Sequence, residues 1–212
     1  MQHLQENFPY IVLSVSSIGN TLGGRSIPVV EIGLPGKTSP NKDMFYFRNN
    51  RAKLTSQEVQ VIRQRQATVV VGYVGGDEGA SMFSCLYSMY YLILGAVNQK
   101  PDILKLLKTT RFTFVCALNL DRLDDLENWF IHESQGAIAT RIKNKRNTGT
   151  CSSDQIGVNL KLNFRADDTS NSCSSNYRGT SVKSEPEIAS LMTYLDSMQT
   201  SPTLGQVITF GK

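Results

Sequence analysis

Histidine is nearly missing from this sequence: the whole chain has two, His3 and His132, far apart. That leaves few donors for a histidine-built catalytic zinc centre, which takes three protein ligands and keeps a fourth position for water. Cysteine is scarce too, and Cys85, Cys116, Cys151 and Cys173 form no Cys-x-x-Cys pair, so no zinc ribbon or thioredoxin-type motif can be drawn. No Asn-x-Ser/Thr glycosylation acceptor occurs. The opening MQHLQENFPY is polar and does not read as a secretory leader. The longest apolar stretch, Met82 to Val97, is interrupted by serines and a cysteine and falls short of a bilayer span. Charge of one sign is also in short supply: a net +4 spread along the chain is too little to mark a nucleic-acid-binding face. The basic run RIKNKRN at 141–147 lacks interleaved aromatics and reads as a solvated loop. Glycines 72, 75, 76 and 79 fit neither a P-loop nor a dinucleotide fingerprint.

What is present is one globular domain's worth of chain. With 212 residues, 40% of them hydrophobic, a single domain over 1–212 can bury about 70% of its unfolded surface without staples. Apolar runs at 10–17 and 26–33, joined by SIGNTLGGR, predict a hairpin, and MFYFR another short strand. Thr55 followed by Glu58 predicts a capping box. The β-branched run Val69–Val74 predicts a strand covered on both faces. A glycine-rich corner carrying Asp77 and Glu78 then opens an apolar helix, and corners at the carboxyl ends of such strands are where open α/β sheets place their sites. A helix over Ile103–Lys108, the strand FTFVCALNL, helical character around LDDLENWF, a helix in SEPEIASLMTYLDSM and a last strand GQVITF follow. Cys85 on the apolar helix and Cys116 on the apolar strand read as core thiols. Alternating strands and helices give an α/β fold: a mixed, mostly parallel twisted sheet with helices on both faces.

Five segments add a resemblance. NFPYIVLSVSSIGNTLGGRSIPVVEIG, GGDE, NLDR, GVNLKLNF and CSSNYRGTSVKSEPEIASL follow one another along the chain. Together they resemble the zinc carboxypeptidase family, the carboxypeptidase A-like enzymes also called funnelins. GGDE stands where that family writes His-x-x-Glu, NLDR where it writes Asn-Pro-Asp-Gly, and GVNLKLNF where it writes Gly-Val-Asp-x-Asn-Arg-Asn-aromatic. The match to Cys-x-x-x-Tyr-x-Gly…Ser-Glu-Pro-Glu is the most specific.

The resemblance implies a zinc held by one glutamate and two histidines. Here Glu78 keeps the glutamate place, but Gly75 and Gly211 stand at the two histidine places, so no metal or other cofactor is expected. The family reads a peptide's terminal carboxylate with an Asn-Arg pair, whose guanidinium matches the carboxylate bidentately; Lys161-Leu162 replaces it. Lys143 aligns with the arginine that steadies the oxyanion, and Asp77 with a residue between the zinc ligands. The general-base glutamate and a capping tyrosine would fall beyond Lys212, as would the last third of the fold. GQVITF would then be an interior strand of the complete sheet.

The resulting expectation is a catalytically inactive carboxypeptidase-like domain, a structural or interaction subunit whose partners are other protein subunits, with no nucleic acid and no membrane span. Two alternatives stand beside it: an active zinc metallocarboxypeptidase, or a non-catalytic peptide or glycan binder. The binder would use the old groove, with Lys143, Arg146, Lys161 and Tyr177 as its contacts. Glu78 beside Asp77 also fits a plain charge–dipole arrangement at a helix start. The resemblance further implies a Cys151–Cys173 disulfide, which would place the protein in an extracellular or lumenal compartment.

Overall fold

A computed structural model describes residues 2–36, 53–123, 142–149, 151–152, 155–165, 171–199 and 203–210. Among them a five-stranded mixed sheet of order β1-β2-β4-β3-β5 is built from β1 (Val12–Asn20), β2 (Ser26–Ile32), β3 (Ala67–Val71), β4 (Arg111–Val115) and β5 (Leu204–Thr209). The hairpin β1-β2 and the pair β2-β4 are antiparallel, while β3 runs parallel to both β4 and β5. The expected hairpin is present. Its turn passes through Gly24 at φ 82, a left-handed conformation that glycine enters without a Cβ clash.

Alternation along the strands feeds two cores. Val70, Phe114 and Ile32 point to one side, where they meet α3 (Gly79–Val97) and α4 (Pro101–Thr109) through Met89, Ile93, Ile103 and Leu107. Val69, Val71, Val115 and Val29 point to the other, against Ile188, Leu191 and Leu195 of α5 (Pro186–Gln199). All five residues of β3 are buried, which is why its sequence shows no polar alternation. Before it, α2 (Ser56–Arg63) carries the expected capping box: the Thr55 hydroxyl accepts from the Glu58 N–H, and the Glu58 carboxylate accepts from the Thr55 N–H. A short α1 (Gln2–Asn7) leads into β1. The strand expected at 44–48, and all but the first residue of the helical stretch expected at 123–130, lie outside the described residues.

Two expectations change here. Cys85 and Cys116 are not free core thiols; they form a disulfide between α3 and the residue after β4. Their apolar surroundings are real, at 0% and 2% exposure, but apolar burial suits a disulfide as well as a thiol. Helix α3 is also longer than the apolar stretch suggested. At 19 residues with a mean hydropathy of 1.4 it has the length and composition to cross a membrane. In the fold it lies against the sheet with Cys85, Met89, Leu92 and Ala96 buried.

Strand β5 ends the sheet and pairs with β3 alone among the described strands. Val207 and Ile208 are 42% and 40% exposed. A cavity of about 300 Å³ opens beside it between Tyr87, Tyr91, Phe112, Ile208 and Phe210.

Candidate functional site

The chain leaves β3 through Gly72, where a Cβ would lie 2.8 Å from the Ser81 carbonyl oxygen and 2.9 Å from Cys85 Cβ. Only glycine lets α3 approach the strand end this closely. Tyr73 follows at φ 51, fully buried. Its N–H donates to Ser81 Oγ (2.8 Å), whose own hydroxyl donates to the Glu78 carbonyl (2.7 Å), and the Tyr73 hydroxyl donates to the Gly76 carbonyl (3.2 Å). These bonds fold residues 72–78 into a tight corner and settle a positive-φ tyrosine that would otherwise be strained.

Glu78 starts α3 but makes no side-chain capping bond. Its carboxylate, 7% exposed, is paired instead with the Lys161 ammonium, which also lies 3.7 Å from Asp77 Oδ1. Lys161 sits on a turn held by side-chain amides. Asn159 Oδ1 accepts from the Lys161 N–H (3.1 Å), and the Asn159 N–H and Nδ2 reach the carbonyls of Tyr177 and Ser175. Four residues on from Asn159, fully buried Asn163 donates to Ser181 O and Ser184 Oγ and accepts from the Glu185 N–H.

The other basic residues turn inward as well. Lys143 is 3% exposed. Its ammonium donates to the carbonyls of Gln155, Ser172 (2.9 Å) and Ser174 (3.0 Å) and lies 5.7 Å from the centre of the Tyr177 ring. Burial, and then the Arg122 charge, lower its pKa. Arg146 Nε contacts both oxygens of Glu185 at 2.7 and 2.8 Å, and Asn144 Nδ2 adds a third donor at 2.6 Å. Arg122, from the NLDR segment, donates to the carbonyls of Lys143 and Asn144. Beside it Asp121 accepts from the Thr21 hydroxyl and the Gly23 N–H, tying the segment to the first hairpin. The Cys151–Cys173 disulfide is present and closes the loop that Lys143 holds.

Glu78, Gly75 and Lys161 therefore share one corner, Lys143 and Tyr177 another, and Arg146 belongs to Glu185. The corner abuts the Lys143 segment through a Gly76 N–H to Ile142 carbonyl bond of 3.0 Å. Gly211 and His132 lie outside the described residues. His3 is exposed on α1, 3.1 Å from Glu6.

The residues of this corner do not fit a zinc ion. Glu78 is paired with a cation of the chain's own, Gly75 offers no donor, and no group of three or more His, Cys, Asp or Glu that could hold a metal exists among the described residues. Sequence reasoning missed the Lys161–Glu78 pair, although a lysine at a groove position facing a stranded carboxylate was the available signal. It also missed the burial of the carboxylates Glu185 and Glu187, both 0% exposed, although they stand at the start of an expected helix, where acidic residues are ordinarily solvated.

A sequence profile of the family described as zinc carboxypeptidase matches residues 1–208. Carboxypeptidase A from Helicoverpa armigera superposes with a TM-score of 0.68 at 19% identity, over 99% of this chain and 44% of that one. Thrombin activatable fibrinolysis inhibitor gives 0.71 at 18%, over 98% and 44%. The bovine form of that inhibitor, in complex with tick carboxypeptidase inhibitor, gives 0.65 at 17%, over 98% and 56%. The chain thus spans about half the length of the solved structures it resembles, and the likeness concerns the fold. No curated protein sequence matches it.

Proposed function

This chain belongs to the zinc carboxypeptidase family, and we propose that it serves as a catalytically inactive member, a structural or interaction subunit of a larger protein assembly. One observation carries the reading: each cation assigned to the groove is engaged inside the fold, Lys161 with Glu78, Arg146 with Glu185, and Lys143 with three backbone carbonyls. A terminal carboxylate is recognised by a guanidinium or ammonium with free donors; Lys143 has spent all three of its own. The same engagement weighs against the peptide- or glycan-binder reading. Two disulfides support an oxidising compartment.

Purified protein, incubated with zinc and a panel of peptides with free C-termini, should release no C-terminal amino acid and should carry no stoichiometric zinc. Pull-down from its native source should recover it with stable protein partners. The double variant Gly75→His with Gly211→His should remain inactive, because the carboxylate-reading arginine stays absent. Turnover of any of these peptides, by the wild type or by that variant, would overturn the reading.

A further inference from the structure

The cation at the Glu78 corner belongs to the polypeptide. We propose that Lys161 is a built-in counter-ion that replaces a metal there, making this corner, in a family described by its zinc, independent of metal for its fold. The inference rests on the reading of an inactive domain and deepens it by stating what took the ion's place.

Three observations support it. First, the position is filled: a Cβ placed at Gly75 would fall on Lys161 Cε and lie 2.8 Å from Asp77 Oδ1 and 3.1 Å from Lys161 Nζ. The lysine stem therefore passes through the space that a side chain at 75 would need. Second, the charges match. Glu78 is almost fully buried and Asp77 lies beside it, so the corner requires a positive charge, and one ammonium reaches both carboxylates. Removing a buried carboxylate's counter-charge is costly because the carboxylate stays desolvated. Third, the ammonium is delivered by a braced element. Asn159 fixes the Lys161 backbone and anchors that turn, which lies within the loop closed by Cys151–Cys173, to Ser175 and Tyr177 just beyond it. A divalent ion entering the corner would meet a like charge and a carboxylate already taken.

Thermal melting of the wild-type chain and a double-mutant cycle test this. Wild type should melt at the same temperature with EDTA as with excess zinc chloride, and calorimetry should detect no zinc binding at micromolar concentration. Lys161→Met should lower the melting temperature by about 5 °C, given the cost of an unpaired buried charge in a chain of this length. Glu78→Gln should also lower it, whereas the double variant should recover most of the loss. That coupling would not arise if Lys161 only filled space. Zinc-dependent stabilisation of the wild type, or strictly additive losses in the double variant, would overturn the proposal. Should Lys161→Met fail to fold, the wild-type melts and calorimetry still decide it. None of these readouts involves turnover or partner capture, so failure here is distinguishable from failure of the inactive-subunit reading.

Discussion

The Arg146 guanidinium holds the wholly buried carboxylate of Glu185, with Nε 2.7 Å from one oxygen and 2.8 Å from the other. Asn144 shares the load, and its own Oδ1 accepts from the Val158 N–H at 2.9 Å. Arg146→Ala leaves that carboxylate with amide and hydroxyl donors only. Chemical denaturation should show a loss of about 2–3 kcal/mol. Adding Glu185→Gln should return part of it.

Glu187 predicts a pH effect. Burial raises its pKa, the Leu22 N–H opposes that rise, and the nearby charges of Glu185 and Asp121 reinforce it. One oxygen accepts from Leu22 N–H at 3.1 Å, while the other finds no donor among the described residues. A carboxyl raised in the folded state contributes its full stability below the ordinary glutamate value of about 4.3 and loses it as pH rises through the folded value. Glu187→Gln should therefore melt higher than wild type at pH 7, with the advantage shrinking as pH falls to 4. An advantage that grows on acidification would contradict this.

The two disulfides should open in a fixed order. Cys85 and Cys116 are buried between α3 and the sheet, whereas Cys151 and Cys173 are only partly covered. Titration with a phosphine reductant and mass mapping should free Cys151 and Cys173 first. In the chain-entropy model each closed loop is worth about 3–4 kcal/mol. Cys85→Ser with Cys116→Ser should cost more than the loop term alone, because the bridge also packs the core.

Much of this fold is legible in the sequence. The β-branched run of β3, the Thr55–Glu58 box and the SIGNTLGGR hairpin each state a local rule that the structure obeys. The site is less legible, for a physical reason. Lys161 and Glu78 are 83 residues apart, and nothing local to either tells which side chain fills the corner. Cys85 and Cys116 pose the same difficulty: apolar context reports burial and says nothing about which atom lies next door.

The β5 edge should be associative. Its outer backbone groups form no ladder with another described strand, and exposed Val207 and Ile208 border the aromatic groove beside it. Unprotected edges of this kind recruit a strand from another polypeptide. Residues 1–212 alone should run on size-exclusion chromatography as concentration-dependent oligomers. Ile208→Lys should shift them towards monomer without lowering the melting temperature by more than about 3 °C, the scale of a change of roughly 1 kcal/mol in a chain this long. A cooperative wild-type monomer at every concentration would remove this support for an assembly role.

Lys143 carries a lesson about electrostatic appearance. It sits in the most basic run of the chain, yet Gln155, Ser172 and Ser174 take all three ammonium protons and Tyr177 lies against it. Lys161 and Arg146 are paired with Glu78 and Glu185, and each pair cancels one charge of either sign, so the formal +4 rests on the other groups. An anionic surface approaching that run would meet a Lys143 whose donors are already engaged, so the run offers it less than its composition advertises.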